Sequence, residues 1–101
     1  MKKPALIREL EDEWDLESGC LGTLRGGTFD KDGFQRLHLL LESVQLKGAS
    51  IDRRLVSLIW YIPIFMSWQV ERVRRKGGNI DEFEATIDQI MEVLEKVLGI
   101  P

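Results

Sequence analysis

The 101-residue chain holds one cysteine, one histidine and three prolines, and each scarcity closes off a line of chemistry. A lone thiol, Cys20, forms no internal disulfide, which points to a reducing compartment. Cys20 and His38 are too far apart in sequence, and too few, to build a zinc site. His38 has no nucleophile or carboxylate suggested beside it as a partner for general-base work, and reads as a residue at the edge of a helix's apolar stripe. Cys20 lacks an adjacent base and reads as a small apolar filler. The di-iron pattern Glu-x-x-His is absent. Gly19, Gly22, Gly26 and Gly27 lack the Gly-Lys-Ser/Thr ending of a phosphate loop. Asp30-Lys-Asp-Gly33 looks like a calcium loop until its register is checked. With Gly33 as the invariant glycine, Thr28 falls at the first ligand position and Leu39 where the bidentate glutamate belongs. No catalytic residue, cofactor or metal is therefore expected.

Excess positive charge is missing too. A net charge of −3 and a pI near 5.2 argue against nucleic acid as a partner, which calls for a basic face. No apolar run is long enough for a bilayer. The longest, Leu55 to Trp68, falls short of the roughly 20 residues a spanning helix needs, and charged residues bound it on both sides. The amino terminus has the charge of a signal peptide but no apolar segment, since acids begin at Glu9. No membrane association and a cytoplasmic location are expected. Strict alternation of apolar and polar residues, the mark of half-buried strands, appears nowhere.

What the chain does contain is helical periodicity punctuated by glycine. A first helix is expected from about Pro4 to Glu17, with Leu6, Leu10 and Trp14 at a spacing of four. The stretch from Gly19 to Phe29 reads as a packed loop, because glycine costs a helix up to about 1 kcal/mol per residue relative to alanine. A second helix opens at the N-cap Asp30 and runs to about Leu46 on the stripe Phe34, Leu37, Leu41 and Val44, with Lys47-Gly48 as its stop. Ser50 or Asp52 opens the third, which carries the apolar run into the cluster Arg72 to Lys76. Pro63 must kink or split it. Asn79 caps the fourth helix, with Glu82 three residues on. Ile80, Phe83, Ile87, Ile90, Met91, Leu94, Val97 and Leu98 then trace one face. The expectation is a single all-α domain over residues 1–101, an antiparallel bundle of four helices, or five if Pro63 divides the third. A run apolar on nearly all sides is expected in the core, so Trp60→Ala and Phe65→Ala are each expected to cost roughly 3–5 kcal/mol.

Function is then sought on the surface. Charge is segregated: residues 1–34 sum to −3, 35–76 to +5 and 77–101 to −5. Six acids crowd between Glu9 and Glu17, at a cost of a few tenths of a kcal/mol for each like-charged pair at helical spacing. One reading makes them a solvated face partly neutralised by Arg72, Arg74, Arg75 and Lys76. The other makes them a docking patch for a basic partner, with Trp14 nearby as an interface aromatic or, by its spacing, a core residue. The candidate binding residues are Glu9, Asp12, Glu13 and Glu17 of the first helix and Asp81, Glu84 and Asp88 of the fourth.

Trp14, the Gly-Thr-Phe29-Asp30 loop exit, Trp60-Tyr-Ile-Pro63, Trp68-Gln-Val-Glu-Arg72, Gly77-Gly78 and the terminal Leu98-Gly-Ile-Pro101, in a short acidic helical chain, resemble the immunity proteins of bacterial polymorphic toxins. Those of contact-dependent inhibition systems are the nearest comparison. The resemblance implies a cytoplasmic, non-enzymatic inhibitor that binds one toxin domain, often a nuclease with a basic cleft, and occludes its active site. The alternative is a small helical subunit or adaptor that completes a larger assembly through apolar surface.

Overall fold

The computed structural model describes residues 5–44 and 52–100. It is all helical there, with no strand among the described residues. Seven helical segments follow one another: α1 (Ala5–Glu13), α2 (Cys20–Leu24), α3 (Lys31–Glu42), α4 (Arg53–Trp60), α5 (Ile62–Trp68), α6 (Val70–Arg75) and α7 (Ile80–Leu98). All seven contribute to one hydrophobic core, from Ile7 and Leu10 of α1 through Phe34, Leu37 and Met66 to Phe83 and Ile90 of α7. Helix α7 packs on α3, α5 and α6, and α1 on α3, α4 and α2.

The all-α class is as expected, but seven helical segments stand among the described residues where four, or five with Pro63, were expected. The first stops at Glu13 rather than Glu17. One carboxylate oxygen of Asp15 accepts from the N–H of Glu17 at 3.1 Å and from the N–H and hydroxyl of Ser18 at 3.0 and 2.9 Å. Aspartate offers the backbone this turn as an alternative to the helix. The same bonds, those from Ser18 foremost, hold the Asp15 carboxyl below its ordinary pKa.

Between Gly19 and Phe29 the expected loop contains a short helix, α2. Its glycines serve close approach rather than chain freedom. A Cβ on Gly19 would stand 2.2 Å from the Glu13 carbonyl oxygen, and one on Gly22 only 1.8 Å from that of Asp15. Only a residue without a side chain lets α2 lie against the end of α1.

The third helix divides into three, with single non-helical residues at Tyr61 and Gln69 between the segments. Both keep right-handed helical torsions, so the chain bends without reversing. Pro63 sits in the first turn of α5, where its missing N–H is tolerated. The proline therefore falls just after a break, as its chemistry requires.

The caps agree with the sequence. Asp30 accepts from the N–H of Gly33 at 3.0 Å, Asp52 from those of Arg54 and Leu55, and Asn79 from that of Glu82 at 3.0 Å. Helix α3 ends at Glu42 with Ser43 as its C-cap. The expected stop at Lys47-Gly48, the cap Ser50 and the helix start at Pro4 lie outside the described residues.

Half of the apolar run is misassigned by periodicity alone. Phe65, Met66, Ile62 and Ile59 are buried as expected, but Trp60, Ile64 and Trp68 are 51%, 38% and 67% exposed. Trp60 is therefore not a core residue. Six apolar neighbours, Leu55, Leu58, Ile59, Ile62, Phe65 and Met66, already fill the inner face of α4 and α5, which leaves the wide rings on the outside.

Candidate functional site

The α1 acids sort into two groups according to what meets them. Glu13, only 4% exposed, is enclosed by the fold. Its carboxylate takes two hydrogen bonds from Arg36, Nε at 2.6 Å and Nη2 at 2.8 Å, and a third from the N–H of Cys20 at 3.3 Å. This fork geometry locks α1 to α3 and anchors the start of α2. Glu11 is held by Arg54 of α4 at 2.9 Å. Among the described residues the cations paired with α1 acids are accordingly Arg36 and Arg54, and no ion pair joins α1 to the cluster from Arg72 to Lys76. Arg74 pairs within its own helix with Glu71, and Arg72 Nη1 donates to the Arg25 carbonyl oxygen.

Glu9, Asp12 and Glu17 are exposed and make no ion pair among the described residues. Glu9 and Asp12 line a groove of about 540 Å³ between α1 and α3, together with Glu13, Arg36, Leu39 and Leu40. Leu39 is 68% exposed there, so the groove pairs an apolar wall with a carboxylate rim. Glu13 belongs to this groove as a buried strut, which corrects its expected role as an open binding residue.

Asp81, Glu84 and Asp88 all face solvent on α7. Exposed Glu92 and Glu95 continue their line, at spacings of three and four that keep all five on one helical stripe. Glu92 and Glu95 were not among the expected binding residues, although the same helical spacing contains them. The two acidic sets are not one patch: α1 and α7 pack on different neighbours and have α3 in common.

The two residues weighed for chemistry, Cys20 and His38, stand in different surroundings. Cys20 is fully buried. Burial, and then the nearby Glu13 carboxylate, push its thiol pKa far above the ordinary value, so a thiolate nucleophile is disfavoured. His38 does have a carboxylate neighbour, with Nδ1 2.8 Å from Glu42 one turn away. It lines an open groove of about 470 Å³ between α3 and α7 with Lys31, Gln35, Glu82, Thr86 and Gln89. Among the described residues no three His, Cys, Asp or Glu side chains are grouped to hold a metal ion. Asp30, tested above as a calcium ligand, is an N-cap. Trp14 is half-buried: its indole N–H donates to the Leu58 carbonyl at 2.9 Å, and its ring lies 5.0 Å from Phe65. It joins α1 to α4 and α5. No described helix is long and apolar enough to cross a membrane.

Comparison with known proteins gives no relative: no protein-family model matches the chain, and no curated protein or solved structure is significantly similar to it.

Proposed function

We propose that the protein is a non-enzymatic, protein-binding inhibitor, a bacterial immunity protein of the cytoplasm that captures a cognate toxin domain through a basic surface of that toxin. The observation that carries this reading is the groove between α1 and α3. Glu9 and Asp12 line it without an ion-pair partner among the described residues, and Leu39 beside them is 68% exposed. The fold uses Glu11 and Glu13 and leaves these carboxylates over. Clustered acids repel one another, so uncommitted ones beside exposed leucine favour association with a basic, partly apolar partner. Glu17, Asp81, Glu84 and Asp88 widen the negative field that steers such a partner.

The test is capture of a binding protein at low and high salt, followed by expression of the captured protein with and without this chain. A toxin whose growth inhibition the chain relieves, and whose capture fails for the Glu9→Lys/Asp12→Lys/Glu17→Lys variant, supports the reading. Capture that is indifferent to salt and to the three lysines contradicts it. The exposed row Trp60, Ile64 and Trp68 favours the second reading, a helical subunit or adaptor, for which complex formation resists high salt.

A further inference from the structure

Helices α4 and α5 carry an apolar ridge that is exposed among the described residues. Trp60, Ile64 and Trp68 succeed one another every four residues and are all exposed. Tyr61 lies against both tryptophans, its ring centroid 5.4 Å from Trp60 and 6.1 Å from Trp68. Tyr61 in turn reaches Phe65 and Trp14, so the ridge is the outer edge of a continuous aromatic cluster. A row at i, i+4 and i+8 covers about 12 Å of helix axis and is the kind of ridge that seats in the groove of another helix.

Two cations at this cluster have no carboxylate partner among the described residues. From Leu55 to Val70 the chain has no charged residue. The Arg25 guanidinium lies over the cluster, 4.8 Å from the Phe65 ring centroid and 5.8 Å from that of Trp14. Arg72, one turn beyond Trp68, is tied to the Arg25 carbonyl oxygen at 2.6 Å. Neither arginine pairs with a carboxylate among the described residues, whereas Arg36, Arg54 and Arg74 all do. The nearest acid beyond the ridge, Glu71, is already engaged by Arg74. In a chain of net charge −3, this is an aromatic surface edged by two uncommitted guanidiniums.

We propose that the ridge docks an acidic amphipathic helix of a partner protein. Apolar side chains of that helix pack between Trp60, Ile64 and Trp68, and its flanking carboxylates pair with Arg25 and Arg72. An anionic bilayer suits the surface less well. A broad membrane face would also meet Asp15 and Glu17, exposed beside Trp14 in sequence, whereas a single helix lying along the ridge need not. The inference concerns a different surface from the α1–α3 groove and uses none of its acids, so each reading can fail without the other.

The experiment follows the indole N–H signals of Trp60 and Trp68 in the isotope-labelled full chain. The probes are a synthetic helix with leucine at every fourth position and glutamate on both flanks, the same peptide with lysine for each glutamate, and vesicles of phosphatidylcholine and phosphatidylserine. The glutamate peptide shifts both signals saturably and the lysine peptide does not. Arg25→Gln with Arg72→Gln weakens the glutamate peptide by about tenfold, the factor that corresponds to one lost charge-assisted contact. Trp60→Ala with Trp68→Ala removes binding while the fold is retained, and carries the test should the arginine variant lose its fold. Equal response to both peptides, response to neither, tighter binding to the vesicles, or signals that move with protein concentration alone would each overturn the proposal.

Discussion

At the scale of single residues, Glu13 shows how burial changes the meaning of a charge. Its neighbours in sequence remain in water, but its own carboxylate is enclosed and satisfied by Arg36 and by the N–H of Cys20. Removing one member of such a pair leaves the other charge without compensation. Arg36 is itself largely exposed, which tempers the loss, and Arg36→Ala is expected to cost about 2 kcal/mol in urea denaturation. Glu13→Lys should prevent folding altogether, so charge reversal at this position reports on stability and not on binding. Cys20 supplies a second prediction. A thiol with a raised native pKa is bound to its proton in the folded state and loses it on unfolding at alkaline pH, so the unfolded state binds fewer protons there. Stability conferred by the neutral thiol is complete below the ordinary pKa of 9.0 and is lost as pH rises beyond it. A thiol reagent should accordingly modify Cys20 slowly in the native protein and rapidly in urea, and Cys20→Ala should flatten the alkaline limb of the stability profile.

At the scale of elements, the caps were legible because their chemistry is local. Asp30, Asp52 and Asn79 each meet the N–H two or three residues ahead, and nothing distant is needed to choose them. Helix α2 was not legible. Glycine spacing looks the same whether it serves a turn or a close approach, and only the position of the Glu13 and Asp15 carbonyls distinguishes the two. Gly22→Ala is therefore expected to cost at least about 3 kcal/mol, since the new methyl meets backbone that cannot move aside. The apolar run from Leu55 to Trp68 was half legible. Its inward residues follow from hydrophobicity, but its width exceeds what one core face can cover, and composition does not say which residues are left over. The two tryptophans were left over. Phe65→Ala should lower the unfolding free energy by about 3–5 kcal/mol, while Trp60→Ala should cost less than about 1 kcal/mol. A large loss at Trp60 would place that ring in the core after all.

At the scale of the whole molecule, the segregation of charge seen along the chain survives folding in altered form. The acids of α1 do not meet the basic end of the third helical region. They are partly consumed by Arg36 and Arg54, and the remainder lines the α1–α3 groove. Five of the six acids of α7 form one stripe, of which Asp81, Glu84 and Asp88 were evident from the sequence and Glu92 and Glu95 were omitted. Which acids are free depends on long-range partners, and sequence order carries little about those. The molecule thus presents an acidic groove with an exposed leucine and, elsewhere, an aromatic ridge edged with arginine.

The central claim is that the groove acids are there for a basic partner. It is tested most directly by measuring the association rate of the captured partner across a range of salt concentrations, for the native chain and for Glu9→Lys/Asp12→Lys/Glu17→Lys. The account predicts a native rate that falls steeply with salt and a variant rate that is low and nearly flat. Equal rates for the two proteins, unaffected by salt, would contradict it.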